Sequence, residues 1–100
     1  MAYNGYENYE TWVVSLWLDN DEGSYNYWAD RAEEVLEDND GDEEDALYDL
    51  AGEIEDEIVE GNPVENASVY SDLMGSALGA VTWTEVAQSF IDLAVERLGD

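Results

Sequence analysis

The 100-residue sequence predicts an all-α protein, a single compact bundle of about five helices spanning residues 1–100. Three observations predict it. Apolar residues recur at spacings of three and four in each segment, the breaks between segments carry helix caps and stops, and no stretch requires a strand. The chain is 45% hydrophobic with four Trp and seven Tyr, a content that acidic disordered tails lack. A chain of this length buries about 60–70% of its unfolded surface on folding, enough for one modest core.

Helix one follows a cap at Asn8 and sets Tyr9, Trp12, Val13 and Leu16 in a stripe. The run Asp19-Asn20-Asp21-Glu22-Gly23 makes a break, and Asp21 or Ser24 caps helix two, whose stripe is Tyr25, Trp28, Ala29, Ala32, Val35 and Leu36. Helix three runs from about Asp42 with Leu47, Leu50, Ala51, Ile54 and Ile58 on one face, and stops at Gly61-Asn62-Pro63. Helix four, about Asn66 to Ala80, carries one acid, Asp72, and aligns Tyr70, Leu73, Met74, Ala77, Leu78 and Val81. That low charge marks it as the central helix. Gly75 and Gly79 on it would let a neighbouring backbone approach, inside the chain or across a homodimer seam. Helix five starts with a capping box of Thr82 and Glu85, stapled by Val81 and Val86, and continues through Trp83, Ala87, Phe90, Ile91, Ala94, Val95 and Leu98.

Charge is the second signal. Twenty-seven Asp and Glu face two Arg and no Lys, a net charge of −25, and 19 of the acids lie between Asp19 and Glu60 against Arg31 alone. A field of this strength repels nucleic acid and membranes and attracts basic surfaces. On helix three, Asp42, Asp45, Asp49, Glu53, Asp56 and Glu60 recur every three or four residues and fall in one line. The ten acids of residues 42–60 occupy about 28 Å of helix, or roughly one charge per 3 Å. A DNA strand carries about one per 3.4 Å and a duplex about one per 1.7 Å. Adding Asp30, Glu33, Glu34, Glu37, Asp38 and Asp40 from the preceding helix and loop moves the density toward that of a duplex.

Other chemistries fit less well. With no His, Cys or Lys, most general bases, nucleophile partners and phosphate clamps are missing, which points away from an enzyme; a carboxylate pair could hydrolyse a glycoside only in a cleft that a small bundle seldom supplies. The acid-rich loop Asp38-Asn39-Asp40-Gly41-Asp42 resembles a calcium loop, but counted from Asp38 an EF-hand places Glu43 where glycine belongs, so no metal or other cofactor is expected. The sequon Asn66-Ala67-Ser68 is incidental, since the start of the chain has no export signal and no apolar run reaches membrane-spanning length. A cytoplasmic setting follows from these features. Among the aromatics, which include Tyr3, Tyr6, Tyr9 and Trp12, Trp17 or Tyr27 are candidates for exposed contact anchors.

The stretch Asn8-Tyr9-Glu10-Thr11-Trp12, then Leu16-Trp17-Leu18-Asp19-Asn20-Asp21-Glu22-Gly23 and Tyr25-Asn26-Tyr27-Trp28, resembles a family of small uncharacterised proteins of phages, plasmids and related mobile elements. The resemblance implies a mobile-element setting and brings no activity or catalytic residue. In charge and size the chain is also similar to DNA-mimic inhibitors of restriction enzymes, CRISPR effectors and DNA repair glycosylases. The expected function is such an inhibitor, acting in the host cytoplasm on the basic surface of a DNA-binding protein. It would bind no nucleic acid itself. The alternative is a structural or regulatory interaction domain from a salt-adapted organism or its virus, whose charge serves solubility.

Overall fold

The computed structural model describes residues 4–62 and 68–99, and all five predicted helices form within them. Among the described residues there is no strand, and no helix is long and apolar enough to cross a membrane. Tyr3, Pro63 and the Asn66-Ala67 part of the sequon lie outside the described residues.

Helix α1 spans Tyr9–Asn20. The Asn8 side chain accepts from the Thr11 backbone N–H at 2.9 Å, which satisfies one of the donors left open at a helix start. The buried face, however, is Thr11, Ser15 and Leu18, while Tyr9 and Leu16 of the expected stripe are exposed and Trp12 and Val13 are half-buried. Apolar residues surround this helix, so hydrophobicity gives it no single inward direction. Its rotation follows instead from polar bonds at its first turn. The Thr11 hydroxyl donates to Asn8 Oδ1 at 2.6 Å and accepts from the Thr82 backbone N–H at 2.9 Å, and Asn8 Nδ2 donates to the Ala80 carbonyl at 2.7 Å.

Helix α2, Glu22–Asp38, begins two residues after the last residue of α1, so the break expected over residues 19–23 contracts to Asp21, which has extended backbone. It buries Trp28, Ala29, Ala32, Val35 and Leu36, the expected stripe except Tyr25, which is half-buried. The chain then turns through Asp40 and Gly41, both at positive φ, 54° and 83°. Glycine fits that left-handed conformation without steric cost, and Asp is among the few other residues that adopt it.

Helix α3, Glu43–Glu60, is capped by the Asp42 carboxylate, which accepts from the Asp45 N–H, and buries Ala46, Leu50, Ala51 and Ile54. Helix α5, Trp83–Leu98, buries Val86, Ala87, Phe90, Ile91 and Ala94 and packs against α1, α2 and α3. It is the central helix. Alanines at positions 29, 32, 46, 51, 87 and 94, all in the core, keep the packed faces low enough for the helix backbones to lie close.

Helix α4, Val69–Gly79, does not hold the central place its composition suggested: it buries no residue and has almost no contact with the other helices. Val69, Tyr70 and Leu73 are each more than 60% exposed. The close approach expected at Gly75 and Gly79 is not made among the described residues, where nothing lies within 4 Å of a side-chain carbon placed on either. Its start is set locally by a reciprocal box of Ser68 and Ser71. The α5 box is likewise redrawn. Thr82 and Glu85 do not bond each other's backbone through their side chains; the Thr82 hydroxyl donates to the Glu7 carboxylate, and Glu85 accepts from the Glu7 N–H at 2.8 Å. A tertiary partner has displaced the local one.

Candidate functional site

The twelve acids singled out in the sequence divide into two groups of six. Asp30 and Glu33 face α5, where Arg97 reaches them at 3.7 and 3.0 Å. Glu34 and Glu53 both bind Arg31, and Glu53 does so through two parallel bonds, from Nε at 2.6 Å and Nη2 at 2.9 Å. Two-point pairing of this kind is geometrically specific and stronger than a single neutral bond. These bonds, to Glu53 first and Glu34 second, hold the Arg31 guanidinium more firmly protonated than usual. Asp49 accepts from Asn39 Nδ2 at 3.0 Å, and Asp42 caps α3. These six make bonds within the chain. The chain's only two cationic side chains thus brace α2 on both sides, Arg31 toward α3 and Arg97 from α5.

The other six, Glu37, Asp38, Asp40, Asp45, Asp56 and Glu60, are exposed and make no ion pair or side-chain hydrogen bond among the described residues. Four further acids share that state on α3 and lay outside the line read from the sequence: Glu43, Glu44, Glu55 and Glu57. The three-and-four spacing selects one line along a helix and passes over acids on its flanks, although the plain count of ten acids in residues 42–60 already included them. At the start of α3, Glu43, Glu44 and Asp45 are favourable to the helix dipole; Glu57 and Glu60 sit at its end with no basic residue in the last turn, where the dipole disfavours them. That second placement costs stability rather than adding to it.

No three carboxylates among the described residues gather in a way that could hold a metal ion. The acid-rich loop at 38–42 is organised for structure: Asn39 Nδ2 donates to the Val35 carbonyl and to Asp49, and Asp42 caps α3. Asp19 is a separate case. It lines an open groove of about 430 Å³ with Tyr25, Phe90 and Leu93, and partial burial there raises its carboxyl above the ordinary aspartate value.

Two aromatics stand out on the surface. Trp17 is 71% and Tyr27 57% exposed, as a contact role requires. Tyr27 is nonetheless held in place, its ring edge-to-face with buried Trp28 at 4.8 Å and 85°. Sequence reading passed over Tyr48, 60% exposed on α3 among the free acids.

Residues 1–96 match the model of the Family of unknown function (DUF7249), and the chain belongs to that family. No curated protein and no solved structure matches the chain.

Proposed function

We propose that this member of DUF7249 is a DNA-mimic inhibitor, carried by a phage or other mobile element, that covers the DNA-binding surface of a host protein such as a CRISPR effector, a restriction enzyme or a DNA repair enzyme. The reading rests on one observation above all. Ten carboxylates on the end of α2, the turn and α3 project to solvent without partners among the described residues, while both arginines are turned onto the seams of α2. The acidic surface is therefore left uncompensated, and α3 is long enough, at 18 residues or about 27 Å, to follow several phosphates of a strand.

The mechanism is competition. Opposite charge steers the two proteins together, and the association rate falls as salt screens it. The chain performs no reaction in this account. Solubility in a salty cytoplasm explains the concentration of acid less well, because the helices outside residues 19–60 carry few acids.

The decisive variant leaves Asp42, Asp49 and Glu53 intact, since these hold the fold, and changes Asp45→Asn, Asp56→Asn and Glu60→Gln. Its control, Asp72→Asn with Asp92→Asn and Glu96→Gln, removes the same charge elsewhere. Capture from host lysate by the wild type is expected to yield a nucleic-acid-binding protein that is released by duplex DNA or by high salt. The stripe variant should then inhibit that protein's DNA binding at least ~10-fold less well, and the control within about threefold of wild type, since complementary charge at the contact sets the encounter. Equal inhibition by the stripe variant and the wild type would end the reading.

A further inference from the structure

Two open depressions, of about 410 and 500 Å³, meet at Leu18, Asp21 and Ser24 and form one trough between α1, α2 and α3. Trp17 stands at one end and Tyr27 with Ile58 and Glu57 at the other. Its residues come largely from the stretch Trp17–Trp28, the second half of the sequence motif, which the acidic surface of α3 does not use.

Three details of the trough agree. Asp21 occupies the N-cap position of α2 yet makes no cap bond to the backbone; its carboxylate accepts from the Ser24 hydroxyl at 2.7 Å and lines both depressions. Tyr27 is exposed but fixed by its contact with Trp28, so its ring is preorganised at little further entropy cost. Gly23 lies within the first turn of α2, where alanine is the better helix former, and a side-chain carbon there would meet nothing within 4 Å. No contact among the described residues calls for a glycine; what the missing side chain leaves open is the trough.

We infer that this trough is a docking site for an arginine-bearing segment of a basic protein partner. A guanidinium is planar, stacks on aromatic rings and pairs with carboxylates, and its methylene stem packs on apolar surface. The trough offers each of these: the exposed rings of Trp17 and Tyr27, the carboxylates of Asp21 and Glu57, and Leu18 with Ile58 beneath. Charge selects the occupant, because among the described residues every charged group lining the trough is a carboxylate and no cation lines it. The inference rests on the reading of this chain as a binder of basic surfaces, and it adds the specific anchor that a field of carboxylates lacks.

The test uses the full chain with two capped probes, a tetra-arginine peptide and a tetra-lysine peptide. Binding is followed by calorimetry and by the indole N–H signals of the four tryptophans, at about 0.15 M salt, where the Debye length is about 8 Å. The arginine peptide should bind at least ~5-fold more tightly than the lysine peptide and shift the Trp17 indole, because only the guanidinium both stacks and pairs in two-point fashion. Gly23→Leu, which fills the trough without an internal clash, and Trp17→Ala should each weaken the arginine peptide at least ~5-fold, whereas Asp45→Asn, remote on α3, should change it less than about twofold. Unchanged affinity for the arginine peptide in both Gly23→Leu and Trp17→Ala, or equal affinity for the two peptides, would overturn the inference. The two readings fail separately. If duplex DNA does not compete for the captured partner but the arginine peptide still seats at Trp17, the trough stands without mimicry. If Gly23→Leu and Trp17→Ala both keep their affinity for the arginine peptide and their inhibition, mimicry stands without the trough.

Discussion

Helices α3 and α4 invert the usual relation between composition and burial. The first carries nearly all its acids on exposed positions and still supplies Leu50 and Ile54, two of the most completely buried side chains. The second is the least charged helix and buries nothing. What decides burial is a narrow apolar line facing a neighbour that can receive it. On α3, Ala46, Leu50, Ala51 and Ile54 form such a line against α5, and the acids are free to occupy the remaining surface. On α4 apolar residues are plentiful but stay exposed or half-buried, and among the described residues its anchor is at the exit, where Val81 is buried at the start of the turn into α5.

The contrast breaks first at the core. Ile54→Ala should cost about 2–5 kcal/mol through a cavity, and Leu73→Ala on α4 should stay within about 0.5 kcal/mol, as for an exposed site. Urea denaturation of both reads the difference, and a large loss from Leu73→Ala would mean that α4 is packed after all. A smaller effect sharpens the division among the acids of α3. Glu53→Gln weakens the two-point bond from Arg31 in a half-exposed seam and should cost about 1 kcal/mol; Glu55→Gln, on a free acid, should leave stability unchanged or raise it by a few tenths of a kcal/mol. Equal melting of these two variants would show that the seam contributes nothing.

The smallest effect is a pH dependence. Because the Asp19 carboxyl is raised in the fold, its proton is held more tightly there than in the unfolded chain. Its contribution is fully present below the ordinary value of 3.8 and is lost as pH rises through the higher folded value. Asp19→Asn should therefore melt slightly higher than wild type at neutral pH and show a shallower stability change across that acid window. A variant that melts lower at neutral pH would contradict this sign.

These contrasts explain how far the sequence could be read. Helices α2, α3 and α5 were legible because each has one apolar stripe with polar residues opposite, and the cap at Asn8 is local enough to be recognised. The facing of α1 was not, because apolar residues surround it and Thr11, a polar residue, is what turns inward. The box at Thr82 and Glu85 was misread because Glu7 and Thr11, the groups that engage those residues, lie 71 to 78 positions away. For the candidate site, spacing identified where acid accumulates but could not separate Asp45, Asp56 and Glu60 from Asp49 and Glu53. That separation depends on where Asn39 and Arg31 point, which only the packing of α2 against α3 decides.

The clasp of Glu7, Asn8 and Thr11 on Ala80, Thr82 and Glu85 also bears on time. Most contacts of a helical bundle are local and form quickly, whereas these bonds close a loop of about seventy residues, whose entropy must be surrendered before they reward it. They are expected to form on the late side of the folding barrier, which φ-values near zero for Asn8→Ala and Thr11→Ala would show. Interactions made after the barrier slow unfolding without speeding folding, so what the clasp governs is how long the folded chain persists.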